Sequence, residues 1–127
     1  MKFSLDKQEK YAILKLEEEN LNSVIAPNVK SEFVFLRNEG VQNLILDLEL
    51  VKYVDSSGLS AILTANRLWN GHGAFLMTNV VHPSVSKLIE ISRLESILTI
   101  IPTLKESIDF VMMEELEKEL KKGGESE

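Results

Sequence analysis

Four consecutive residues, Asp55-Ser56-Ser57-Gly58, have the types and spacing of a small chemical site. They stand between an apolar run, residues 43–51, and a segment of helical periodicity that begins at Leu59. A serine in the first turn of a helix faces unpaired amides and the positive end of the helix dipole, both of which favour negative charge. A phosphate on Ser56 or Ser57 would meet those amides while adding about −1.5 to −2 of charge beside Asp55. Such a group would reject an acidic or closely fitted partner and leave the fold intact. The same residues also suit a structural turn, because Asp and Ser are common helix caps and Gly permits a tight turn.

Other chemistries find less support. A serine hydrolase would draw on Ser56, Asp55 and one of the two histidines, His72 and His82. The chain lacks a G-x-S-x-G elbow, and a hydrolase sheet of that type needs a longer chain than 127 residues. His72 lies between two glycines and His82 precedes Pro83, so both read as turn residues. A magnesium-dependent phosphoacceptor would need converging carboxylates. Glu17-Glu18-Glu19 follows a strand pattern but reads as a solvated turn, and Lys105 is only a partial match to that chemistry. Gly71 and Gly73 do not form a phosphate loop, since no G-x-x-x-x-G-K-[ST] is present. The absence of cysteine removes thiol catalysis and cysteine-ligated metals. No catalytic residue, metal or cofactor is expected.

Composition narrows the class further. The net charge of −6 argues against a nucleic-acid footprint, which needs clustered Lys and Arg. No apolar run approaches a membrane span, so no membrane insertion is expected. Met1-Lys2-Phe3-Ser4-Leu5-Asp6 meets charge too early for a signal peptide, and a cytoplasmic location is expected. Half of the excess negative charge falls between Glu114 and Glu127. Residues 118–127 are predicted to be a charged, frayed tail on a domain spanning 1–117.

The elements that position the four residues follow from hydrophobic periodicity. Residues 2–8 and 10–17 predict a hairpin. Asn22 and Ser23 are plausible N-caps for a helix whose apolar positions are Val24, Ile25, Val29, Phe33 and Leu36, stopped at Gly40. Residues 43–51 predict a central strand, apolar on both faces as a parallel strand would be. A second helix carries Leu59, Ile62, Leu63 and Leu68, with Trp69 in core or rim packing. Residues 74–78 form a strand, and Pro83 opens a helix with Val85, Leu88, Ile89 and Ile91. Residues 96–101 form the next strand. The last helix runs from Thr103 to about Leu120, with Leu104, Ile108, Val111, Met112 and Leu116 on its buried stripe. The order β-β-α-β-α-β-α-β-α predicts an α/β domain: a mostly parallel mixed sheet with an opening hairpin and helices packed on it. An apolar rim beside Met113 would support at most a weak homodimer of an otherwise monomeric protein.

Taken with this order, Asn20-Leu21-Asn22, the strand 44–51, Tyr53-Val54-Asp55-Ser56-Ser57-Gly58-Leu59 and the run His82-Pro83-Ser84-Val85 to Leu94 make the chain resemble the STAS domain family. Within the family the resemblance is to the anti-sigma factor antagonists, or anti-anti-sigma factors, of bacteria. In phosphorylatable members the residue after the Asp is the phosphoacceptor; that position is Ser56 here, with Ser57 the second choice. The resemblance implies a switch loop of Asn22, Asp55, Ser56, Ser57 and Gly58. It also implies an anti-sigma factor that is a serine kinase of the histidine-kinase-like ATPase type, with ATP belonging to the kinase, and a serine phosphatase that resets the cycle. At position 22 this chain has Asn where such members commonly carry Asp. The other roles that the family implies are an unphosphorylated scaffold, a transporter-associated subunit, and a small-molecule or nucleotide sensor.

Overall fold

The computed structural model describes residues 1–125. Strands β1 (Phe3–Lys7) and β2 (Ala12–Leu16) form an antiparallel hairpin, followed by the two-residue strand β3 (Asn20–Leu21) and helix α1 (Ala26–Asn38). Strands β4 (Leu44–Asp47) and β5 (Tyr53–Val54) precede helix α2 (Ser56–Trp69). Then come β6 (Phe75–Thr78), α3 (Pro83–Ile91), β7 (Thr99–Ile101) and α4 (Leu104–Glu125). The main sheet has the order β1-β2-β4-β6-β7, parallel everywhere except at the hairpin. This is the α/β mixed sheet that the periodicity predicts.

The central strand shows why its sequence is apolar at every position. Side chains alternate between the two faces of a strand. Leu44 and Leu46 point into the larger core with Leu14, Phe33, Trp69, Phe75 and Met77, whereas Ile45 joins Ile13, Leu76 and Val111 under α4. In the larger core, the rings of Phe33, Trp69 and Phe75 lie with centroids 6.0–6.5 Å apart, and Trp69 Nε1 donates to the Val41 carbonyl at 3.1 Å. Trp69 is therefore fully buried core.

Asn43 fastens one end of this arrangement. Its Nδ2 donates to the Lys10 carbonyl and to Glu115 Oε1, both at 2.7 Å, and its Oδ1 accepts the Ala74 amide at 2.8 Å. One buried amide thus joins the hairpin turn, the start of β6 and helix α4.

Several expected positions differ, each for a physical reason. The strand predicted over 43–51 ends at Asp47, because Asp47 Oδ1 accepts the Glu49 amide and turns the chain; Leu50 is left exposed. Asn22 and Ser23 do not cap α1, whose N-cap is Ile25; Val24 lies in the preceding turn and is exposed. The strand predicted over 96–101 begins at Thr99, and Ile91 and Ile97 face outward. On α4 the inward stripe is Ser107, Val111 and Glu115, which are buried, with Leu104 and Ile108 half-buried, so Met112 and Leu116 are exposed. The two polar members hid that phase: Ser107 is buried by donating to the Thr103 carbonyl at 2.8 Å, and Glu115 by accepting from Asn43. The helix also continues to Glu125, beyond the end predicted at Leu120; Ser126 and Glu127 lie outside the described residues.

Replacing Asn43 with Ala strands the Ala74 amide and the Glu115 carboxylate. Each buried group left unpaired costs on the order of 1–3 kcal/mol, so Asn43→Ala should lose about 3 kcal/mol in a urea titration. A midpoint equal to wild type would show that the network carries no stability.

Candidate functional site

The candidate site is assembled from two chain segments that leave the same end of the sheet. After β4 the backbone turns, with the Val51 amide donating to the Leu48 carbonyl at 3.0 Å. The Lys52 and Tyr53 amides both donate to the Glu19 carbonyl, at 2.8 and 3.1 Å. β5 then pairs in parallel with β3, Tyr53 opposite Asn20 and Val54 opposite Leu21. The Asp55 amide extends the pairing by donating to the Leu21 carbonyl at 3.2 Å. Helix α3 braces the outer side, where Ser84 Oγ donates to the Lys52 carbonyl.

At the end of that two-stranded ribbon, Asp55 is the N-cap of α2 in an extended backbone conformation. Its Oδ1 accepts the Gly58 amide at 2.9 Å, and its Oδ2 accepts the Ser23 amide at 3.3 Å. The carboxylate therefore joins the start of α2 to the loop ahead of α1. In that loop Asn22 Oδ1 accepts the Val24 amide at 3.0 Å, and the Asn22 carbonyl accepts the Ile25 and Ala26 amides. Asn22 shapes the loop, and Asp55 holds it.

Gly58 is required by close approach. A Cβ at this position would run into the Leu21 carbonyl oxygen and come within 2.8 Å of Leu21 Cγ. The first turn of α2 thus rests directly on the β3 backbone.

Ser56 is the first residue of α2 and is exposed, while Ser57 is half-buried. Among the described residues, neither hydroxyl has a hydrogen-bond partner, and neither do the amides of Ser56 and Ser57. The more exposed of the two serines therefore stands at the positive end of a 14-residue helix. Beside it, Ser23, Ala26, Pro27, Lys30, Ser57 and Ser60 line a cleft of about 300 Å³ to which Ser56 also contributes. Exposed Val24 and Tyr53 flank the turn, and Lys52 and Glu19 form an ion pair of 3.2 Å near it.

All five residues of the predicted switch loop, Asn22, Asp55, Ser56, Ser57 and Gly58, are brought together. Three contributors were not legible in the sequence: the pairing of β3 with β5, the contact of Gly58 on Leu21, and Lys30. The two strands have two residues each, too short for any periodic signal. Lys30 reaches the cleft only because α1 packs against α2.

The residues considered for other chemistries lie elsewhere. His72 is exposed in the turn after α2, about 20 Å from Ser56 at the rise of a helix. His82 is the N-cap residue of α3 and makes no side-chain cap bond. Among the described residues there is no cluster of three or more His, Asp or Glu that could hold a metal, and no helix long and apolar enough to cross a membrane. At the neighbouring edge, Lys15 has its pKa raised by a 3.0 Å hydrogen bond to Glu49, aided by the charges of Glu49, Asp47 and Glu17 and opposed by desolvation. A second cleft, of about 350 Å³, lies at the far end of α2 between Trp69, Phe110 and Lys118.

The STAS domain model matches residues 2–107 of the chain. The anti-sigma factor antagonist SpoIIAA, in its unphosphorylated form, has a similar structure, with a TM-score of 0.73 and 22% identity over 87% of this chain and 96% of that one. An anti-sigma factor antagonist from Mycobacterium paratuberculosis superposes with a TM-score of 0.79 and 16% identity, covering 87% of this chain and 93% of its own. The murine anion transporter Slc26a9 contains the same fold, with a TM-score of 0.68 and 14% identity over 85% of this chain and 18% of the transporter. At these identities the likeness is one of fold. No curated protein matches the sequence.

Gly58→Ala tests whether the two segments form one unit. The added methyl must push α2 from β3, and overpacking of this kind costs about 1–3 kcal/mol. The expected result is a lower melting temperature together with faster amide exchange at Ser23 and Asp55. Unchanged exchange at both amides would mean that the two loops are independent.

Proposed function

The chain belongs to the STAS domain family, and on that premise we propose that it is a cytoplasmic partner-switching regulator of the anti-sigma factor antagonist type. In this reading the unmodified protein binds an anti-sigma factor that is also a serine kinase, and phosphorylation of Ser56 ends the binding. The observation that carries the reading is the state of Ser56: exposed, without a hydroxyl partner, and held at the start of α2 by the two hydrogen bonds of Asp55.

The chemistry asked of this chain is slight. Ser56 Oγ attacks the γ-phosphorus of an ATP bound to the kinase. A P–O bond forms as the bond to the β-phosphate oxygen breaks, the hydroxyl proton passes to a base of the kinase, and ADP leaves. The phosphoester adds about −1.5 to −2 of charge at one point of the surface. Like charge meeting a fitted interface costs binding, while an exposed residue whose hydroxyl makes no hydrogen bond among the described residues can be modified without refolding the domain. Exposed Val24 and Tyr53 on either side of the turn supply apolar area for the partner, and Asn22 sets the loop that presents Val24. A serine phosphatase would restore the hydroxyl. Ser57, half-buried in the next position, is the weaker acceptor.

A second reading rests on the fold shared with part of the Slc26a9 anion transporter: a scaffold or transporter-associated subunit that is never phosphorylated.

The deciding experiment is phosphopeptide mass spectrometry after incubation with ATP and extract of the native host. Ser56→Ala is run in parallel, with a known antagonist and its own kinase as the positive control. Phosphate on Ser56, absent from the variant, is the expected result. No phosphate on Ser56 or Ser57 while the control labels would reject the switch and favour the scaffold. With the partner in hand, Ser56→Ala should bind as wild type and Ser56→Asp at least tenfold more weakly. Because Asp55 and not Ser56 is the cap, Ser56→Ala should change stability by less than about 0.5 kcal/mol.

A further inference from the structure

The cleft beside Ser56 contains a cation that the switch as described does not use. Lys30 lies on the second turn of α1, four residues after Ala26 and three after Pro27, and all three line the cleft with Ser56. Among the described residues the Lys30 ammonium has no hydrogen bond or ion pair, although other lysines of this acidic chain, among them Lys7, Lys10, Lys15 and Lys52, are paired with Glu. Ala26 and Pro27 are short, so the α1 side of the cleft stays open between Lys30 and the serines of α2. Asp55, the acid next to Ser56 in sequence, already has its two oxygens occupied by backbone amides.

We propose that Lys30 holds the phosphate of phosphorylated Ser56 across the cleft between α1 and α2, as a positioning residue for the modified state. The inference rests on Ser56 being the phosphoacceptor. A phosphoserine at this position has three sources of stabilisation on one side: the free amides of Ser56 and Ser57, the positive end of α2, and the ammonium of Lys30. On the other side stands the Asp55 carboxylate, which repels it. The first two sources belong to any helix start; Lys30 is the one that draws the phosphate into the cleft. The ion pair would keep the modified surface in one geometry and cover the hydroxyls of Ser57 and Ser60.

The test uses the full chain with phosphoserine introduced at position 56 during translation, so that no kinase is needed. The second ionisation of the phosphate, near pH 6 in an unperturbed phosphoserine, is followed by phosphorus-31 NMR. A neighbouring cation favours the dianion, so the wild-type background should titrate lower than Lys30→Met and Lys30→Gln by about half a unit or more. Lys30→Arg should restore the lower value. Using two neutral variants keeps the result readable if one fails to fold. Equal titration curves in wild type and a folded neutral variant would overturn the clamp. Failure of a kinase to label Ser56 would instead overturn the phosphoacceptor reading, and the two failures are therefore distinct.

Discussion

The Asp55 carboxylate receives two backbone amides from segments that lie more than thirty residues apart in sequence: Gly58 within its own helix start, and Ser23 ahead of α1. Everything distinctive about this end of the molecule follows from that double acceptance. One oxygen starts α2 and so fixes where Ser56 stands; the other holds the loop that presents Val24. The pairing of β3 with β5 brings the two backbones close enough for a single carboxylate to reach both. Gly58 then lets the helix start lie on Leu21 without a side chain between them. Ser56 is thereby held at the helix start, while its own hydroxyl makes no hydrogen bond among the described residues.

The remainder of the fold serves as a platform. Strands with apolar side chains on both faces need cover on both, which α1 and α2 provide on one side and α4 on the other. Parallel strands send their carboxyl ends the same way, so the loops after β2 and β4 emerge together. The polar staple at Asn43 lies at the opposite end and holds the hairpin, β6 and α4 in register. Among the described residues no side-chain hydrogen bond ties Ser56 to that network or to the core.

Helix α4 continues past the sheet, with Met113, Leu116 and Leu120 exposed on the side away from Val111. The far part of the helix is anchored by Glu115 on Asn43 and by a 3.5 Å ion pair between Lys10 and Glu119. These contacts account for a segment that carries much charge and little core and nevertheless extends as helix to Glu125.

The sequence by itself determined the class of fold and the position of the candidate loop. Alternating apolar faces, glycine and proline stops, and the order of elements are local signals, so the presence and order of the hairpin, the central strand and the helices are legible, while their ends are not. Asp55 as a cap and Ser56 at the helix start follow from the same local chemistry. What only the tertiary structure decided are the contacts between segments distant in sequence: Asp55 with Ser23, Gly58 with Leu21, Lys30 in the cleft with Ser56. The burial of Glu115 is of the same kind, since its partner Asn43 is 72 residues away and an apolar count places Met112 on that stripe instead. Periodicity reports which face of an element is buried. It carries no information on which distant backbone a free carboxylate, a missing Cβ or an unpaired ammonium will meet.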